Sequence, residues 1–472
     1  MANRKVTDLE AINEPQPDDM LYLVRGSGTN RDKQVSVGSL LADVTAELSP
    51  LINELSAATA ALSNIIAALQ LVITNQWDVG TKLIASDAEA SDQFGRSVAI
   101  NGDYVAVGAR NEDTAASNAG AAYVFRRIDT NTWDSGVKIV APDASPSSFF
   151  GQSVAIAGDY LIVGADDAVV GGASAGAAYV FRRTGTNTWD VGAKLVASDA
   201  GVNDNFGYSV AISGDYAIVG AYSENSGGSL AGAAYVFHRT GINAWDSGHK
   251  LVAADAAANG YFGWSVAIDG DVAVVGAWGE GTGGAYTGAA YVFRRTGANT
   301  WDSGTKLVAP DAEAGDEFGY GVAISGDYVI VGARSEGAGG VNAGAAYVFL
   351  RTGIDAWNDG MKLMAPDAQA GDWFGQSVAI AGEYAIVGAF NEDSKGSNAG
   401  AAYVFRRAGA NEWDSGTKLV TLDGQEGDQL GFRVAICGDY AVAGAIGEDA
   451  GGSMAGAAYV FAESFRTKVT AL

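Results

Sequence analysis

Cysteine and histidine are almost missing from this chain, and positive charge is in short supply. Cys437 stands alone, so no intrachain disulfide can form; it holds a turn position taken by Asn101, Ala157 and Ser213 elsewhere, which marks it as a tolerated small residue. The two histidines do not recur either: His238 stands where a related stretch has Arg126, and His249 where others have Thr81, Thr305 or Met361. This excludes a His/Cys metal-ligand set and leaves no base to activate a nucleophile, so an enzyme is not expected. Lys and Arg number 29 against 55 Asp and Glu, a formal net charge of −26. A surface that acidic repels phosphate backbones and argues against a nucleic-acid partner. It suits solubility, cations or a basic partner. The opening stretch, Met1 to Asp8, has no apolar run of the secretory kind, which sets the expectation of synthesis in a cytoplasm without a signal peptide.

What the chain has in abundance is repetition. Ala-Gly-Ala-Ala-Tyr-Val-Phe begins at Ala119 and returns at Ala175, Ala231, Ala343, Ala399 and Ala455, with a Thr-led copy at Thr287. Tryptophans at Trp77, Trp133, Trp189, Trp245, Trp301, Trp357 and Trp413 are each 56 residues apart. Phe-Gly pairs start at Phe94, Phe150, Phe206, Phe262, Phe318 and Phe374, with Leu430 in seventh place. Seven units this alike share one continuous core, whatever domain count the length suggests.

Within a unit the pattern is that of strands. Phe94 to Ile100 alternates, Asn101-Gly-Asp103 is a tight hairpin turn, and Tyr104 to Ala109 is a second strand. Gly120 to Arg127 follows as a third and Trp133 to Val140 as a fourth. Four antiparallel strands repeated seven times predict an all-β fold, a seven-bladed β-propeller of four-stranded blades over residues 77–465, with 466–472 as a tail. The array opens on a lone fourth strand and ends on a lone third, so strand 77–85 is expected to complete the last blade and hide the sheet edges.

The run Phe-Gly-x-Ser-Val-Ala-Ile-x-Gly-Asp-Tyr-x-x-Val-Gly-Ala, followed by Gly-Ala-Ala-Tyr-Val-Phe, resembles the FG-GAP repeat family, as in the seven-bladed head of integrin α chains and in bacterial surface proteins. A WD-type propeller is not expected: the period is too long and the Gly-His partner is missing. Integrin-type repeats often carry a calcium loop of alternating Asp between the first two strands. Here that place holds only a hairpin, so the site is not carried over, and Asp103, Asp159, Asp215, Asp271, Asp327 and Asp439 are turn residues.

Residues 1–40 are outside the repeat and nearly balanced in charge. Met20 to Arg25 and Lys33 to Val37 are predicted strands. Val6-Thr-Asp-Leu9, Asp18 to Leu23 and Gln34 to Leu41 together resemble the N-terminal segment of bacteriophage tail-fibre proteins, which implies attachment to a tail or baseplate protein of a virion. Residues 41–76 then place apolar residues at steps of three and four, through Leu48, Leu51, Leu55, Leu62, Ile65 and Leu69. This predicts a helical coiled-coil stalk and a homotrimer, in two pieces because Ser49-Pro50 should cap a new helix from about Leu51 to Ile73. The rival readings are a membrane span, since no charge falls between Glu54 and Asp78, and a helix packed on the repeat domain.

Strand cores barely change between units, whereas the loops before Phe-Gly and after Val-Gly-Ala do. Aromatics gather in the third and fourth units, at Tyr208, Tyr222, Tyr261, Trp264, Trp278 and Tyr286, with Trp373 and Phe390 in the sixth. A repeat scaffold varied on one face suits recognition, and Tyr and Trp beside carboxylates suit a host-surface glycan or protein; packing of these aromatics between loops is the alternative. The same face gathers acid. Asp92, Glu112, Asp113, Glu392, Asp393, Glu448 and Asp449 are candidate calcium ligands, or else a solvated acidic rim. Beyond calcium no cofactor is expected. These residues predict a non-enzymatic receptor-binding protein on a virion appendage, or, as alternative, a bacterial surface adhesin or scaffold anchored through the 55–74 helix.

Overall fold

The computed structural model describes residues 4–5, 20–22, 34–72 and 76–464. It divides into two compact units, residues 77–464 and the remainder. In the larger unit each repeat folds into one antiparallel sheet. The first contains Phe94–Asn101, Tyr104–Ala109, Ala121–Asp129 and Val137–Ile139, hydrogen-bonded in that order. Alternation sets the register, with Val98 opposite Val107 and Val107 opposite Tyr123. Seven such sheets form the seven blades.

The apolar faces are buried between blades. Val124 and Ile139 of the first blade share a cluster with Val154, Leu161 and Val163 of the second. Each fully buried Val, Ile or Phe is worth roughly 1.5–3 kcal/mol, so these interfaces carry much of the stability. The ring closes in the same way: Val98 and Val107 of the first blade pack with Leu83, Val442 and Val460 of the seventh. The strand Thr81–Leu83 completes that blade, pairing Val460 with Thr81, Tyr459 with Lys82 and Ala458 with Leu83.

The repeated glycines are explained by this contact. A Cβ on Gly108 would lie 2.0 Å from the carbonyl oxygen of Gly151 in the next blade. Thus the Gly of Val-Gly-Ala meets the Gly of the following Phe-Gly, and no side chain fits between them.

The fourth strand departs from expectation, because it is broken into Thr132–Trp133 and Val137–Ile139. The Asp134 carboxylate accepts the Arg126 amide at 2.9 Å and the Gly136 amide at 3.1 Å, so a side chain replaces the ladder at the break.

The smaller unit holds a three-stranded sheet, Arg4–Lys5, Met20–Tyr22 and Gln34–Ser36, in which Met20 faces Ser36 and Tyr22 faces Gln34. Val6 to Leu9, Leu23 to Lys33 and the tail 466–472 lie outside the described residues. One helix spans Val37–Val72 with Pro50 inside it. The expected break at Ser49-Pro50 is therefore corrected. Ser49 does not cap a new helix; its hydroxyl donates to the Thr45 carbonyl at 2.7 Å, one turn back within the same helix. Leu48, Leu51, Leu55 and Leu62 are exposed. Ile65 and Leu69 lie on the helix where side chains fall outside the described residues. No helix among the described residues is long and apolar enough to cross a membrane.

Candidate binding face at the propeller axis

Three backbone positions per blade build the variable face. The residue before Phe-Gly is left-handed in every blade: Gln93, Phe149, Asn205, Tyr261, Glu317, Trp373 and Gln429 have φ between 53° and 59°. The conformation costs a non-glycine residue roughly 1–2 kcal/mol. Backbone bonds hold it, as where the Tyr261 amide donates to the Leu230 carbonyl of the preceding blade at 3.0 Å and the Trp264 amide donates to the Tyr261 carbonyl at 3.2 Å. This turn presents the side chain before Phe-Gly and the one after it side by side. Such strain concentrates at functional positions, where the surrounding structure fixes it.

The six aromatics of the third and fourth blades form one contact set. Tyr208 meets Tyr222 and Trp264 with ring centroids 4.6 Å apart in both cases. Tyr261 stacks on Trp278 at 4.5 Å, and Trp278 continues to Tyr286 at 5.8 Å. Tyr286 is 45% exposed, and the other five are half-buried. Trp373 and Phe390 belong to a second set, in which Phe390 packs against Trp373 at 5.3 Å and Phe432 at 5.4 Å. Phe390 is only 6% exposed, so it is a packing residue of this face and not a contact surface. Arg334 links the sets, its guanidinium 3.6 Å from the Tyr320 ring centre and 4.9 Å from that of Trp373.

The inner strands enclose a cavity of about 120 Å³ on the axis, lined by Gln152, Tyr208, Trp264, Tyr320, Gln376 and Arg433 among others. Serines of the Phe-Gly-x-Ser motif stitch its wall: Ser97 donates to the Gly151 carbonyl and Ser153 to the Gly207 carbonyl, both at 2.8 Å. Arg433 occupies this serine position in the seventh blade. Sequence comparison of single loop positions misses Arg433, although an Arg among five serines and Gly321 is a visible signal.

The candidate calcium ligands do not converge. Glu112 accepts the Thr114 amide at 2.8 Å and pairs with Lys138 at 2.7 Å; Glu392 accepts the Ser394 amide and pairs with Lys418; Glu448 accepts the Ala450 amide and pairs with Lys82. Asp113, Asp393 and Asp449 accept the amides of Asn118, Asn398 and Met454, and Asp92 accepts that of Glu89. The acids are turn-forming and lysine-paired, and no group of three His, Cys, Asp or Glu side chains gathers among the described residues. Asp92, Glu112, Glu392 and Glu448 are buried and so are not part of a solvated rim, whereas Asp113, Asp393 and Asp449 are exposed and form one. The same lysines serve a second carboxylate. Lys138 reaches Asp87 at 2.8 Å, and Tyr123 donates to Asp87 at 2.7 Å. Burial works against the Asp87 charge, but the bonds from Lys138 and Tyr123 outweigh it and hold its pKa below the usual range. Asp92 lacks such a cation, and burial, with Glu112 nearby, pushes it up to about 6.

The two histidines lie on separate strands. His238 stacks on Tyr216 at 4.7 Å, and His249 is half-buried on the fourth strand of its blade.

The molecule is thus a seven-bladed β-propeller whose variable residues converge on one mouth of its axis. The FG-GAP repeat matches at residues 77–125, 133–181, 189–237, 245–293, 301–349, 357–405 and 413–461, well over half of the chain, and the chain belongs to that family. Among solved structures the chain is similar to the WD40 β-propeller domain of Doa1, at 11% identity and a TM-score of 0.45, over 81% of this chain and 97% of that one; this likeness carries no further argument. No curated protein matches.

Proposed function

We propose that this chain is a non-enzymatic adhesion protein, the receptor-binding component of a phage-like tail fibre, with a propeller head that recognises a glycan or protein on a host surface. The observation that carries the reading is the aromatic contact set from Tyr208 to Tyr286, built on strained turns at one mouth of an otherwise uniform ring. Tyr and Trp held rigidly and part-exposed are the side chains that dominate recognition surfaces. In this reading residues 1–40 dock on a tail or baseplate protein, and the helix joins three chains through Leu48, Leu51, Leu55, Leu62, Ile65 and Leu69. Three heads then multiply weak single-site affinities on a virion. Anchoring through residues 55–74 as a surface adhesin lacks support, because no described helix is long and apolar enough to span a bilayer.

The test is adsorption of fluorescently labelled full-length chain to a panel of intact bacterial strains. Saturable adsorption to at least one strain is expected. The variant Tyr286→Ser, at the exposed end of the set, should weaken it about tenfold while keeping the parent melting temperature. Adsorption to no strain, or adsorption indifferent to the variant, would overturn the reading.

A further inference from the structure

Beside the aromatic set the axial mouth changes character. Arg96 and Arg433 flank the ring of Phe432, their guanidinium carbons 4.9 and 5.1 Å from its centre. Arg110 lies 4.2 Å over Phe149 and reaches Asp166 only at 3.8 Å. The outer-strand arginines differ: Arg127, Arg183, Arg239 and Arg295 each pair closely with a turn aspartate. Neither Arg96 nor Arg433 has a carboxylate within ion-pair distance among the described residues. Burial above all, with the adjoining Arg433 and Arg110 charges adding to it, pulls the Arg96 guanidinium down to about 10. In a chain of net charge −26, crowded arginines are a costly arrangement unless an anion completes it.

A second observation is independent of charge. Gln152 is 3% exposed and lines the axial cavity. Its carbonyl oxygen accepts the Arg96 Nε–H at 3.1 Å, and its Nε2 donor has no partner among the described residues. A buried polar group left unpaired costs roughly 1–3 kcal/mol, so the spare Gln152 donor on the cavity wall marks a place where a ligand acceptor fits.

We infer that the axial mouth binds an acidic sugar, its anionic group on Arg433 and Gln152 beside Arg96, and its ring face against Tyr208 and Trp264. Planar guanidiniums match the oxygen fork of a carboxylate or sulfate, and Tyr208 and Trp264 offer an aromatic wall for the apolar face of a pyranose. The inference rests on the reading that this face binds a ligand, and it names the ligand's chemistry.

The experiment presents full-length chain to an array of oligosaccharides in matched neutral, uronic- or sialic-acid and sulfated forms. Retained sugars are then titrated calorimetrically against parent and Arg433→Ser chains. Arg433→Ser restores the residue that five other blades carry, so it should fold as the parent does. Acidic forms are expected to bind about tenfold or more tightly than their neutral counterparts, and Arg433→Ser to remove that preference. Preference for the carboxylate or for the sulfate arm identifies which anion is read. If neutral sugars bind equally well and Arg433→Ser changes nothing, the acidic-sugar inference falls while the adhesion reading stands. If no saccharide binds in any form, the inference falls, and cell adsorption decides the adhesion reading separately.

Discussion

Gly444 and Gly95 come from opposite ends of the repeat array, yet a Cβ on Gly444 would sit 2.1 Å from the Gly95 carbonyl oxygen. The obstacle is backbone on both sides, so neither can yield without moving a strand. Gly444→Ala is therefore expected to cost about 1–3 kcal/mol or more and to loosen the closing interface. Gly102 makes the control. It has φ +57°, and nothing lies within 4 Å of the point where a β-carbon would stand, so Gly102→Ala should cost only about 1 kcal/mol of left-handed strain. Urea midpoints of the two variants check the difference; equal losses would mean that the glycine contact does not hold the ring shut. Recurrence of both glycines was legible in the sequence. That they meet each other across blades was not, because they are far apart in every unit.

Each sheet brings its own charge network, and the networks set opposite responses to pH. The carboxylates bonded to lysine and tyrosine, Asp87, Asp199, Asp311 and Asp423 among them, have lowered pKa values. Their contribution to stability is present above the ordinary carboxylate pKa and is lost as pH falls through the lowered value. Asp92, Asp204, Asp316, Asp372 and Asp428 are raised, first by burial, Asp92 to about 6. A raised carboxylate destabilises the fold when charged, so that cost is relieved as pH falls from about 6 toward 4. The melting temperature is thus expected to rise on acidification from pH 7 to 5 and to fall below about pH 4, as read by scanning calorimetry. Asp92→Asn should flatten the rise. A melting temperature that falls steadily from pH 7 would contradict this assignment. The sequence showed the acids on one face but not that each unit's lysine would neutralise them, because Lys138 and Glu112 meet only when the fourth strand lies beside the third.

At the scale of the whole molecule, one property belongs to assembly. The exposed row Leu48, Leu51, Leu55 and Leu62 on a single helix is apolar surface that association would bury. Full-length chain is expected to sediment at three times its 48.2 kDa mass, and Leu51→Asp with Leu55→Asp at one. A parent chain that sediments as a monomer would remove the stalk from the proposed architecture.

The sequence alone determined the blade count, the strand order and the chemistry of the turns. Period, alternation and Gly-Asp hairpins are local properties, repeated often enough to admit one closed ring. Tertiary structure decided what each conspicuous residue does. Phe390 looked like a contact residue and is buried against Phe432, a neighbour supplied by the next blade. Arg433 drew no notice in the sequence and lies with Arg96 at the axis, because closure sets the seventh blade beside the first. Pro50 looked like a break and sits inside one helix. For Phe390 and Arg433 the deciding contact joins residues far apart in the chain, which no local pattern encodes; for Pro50 it is a local bond, Ser49 to Thr45, that keeps the helix continuous.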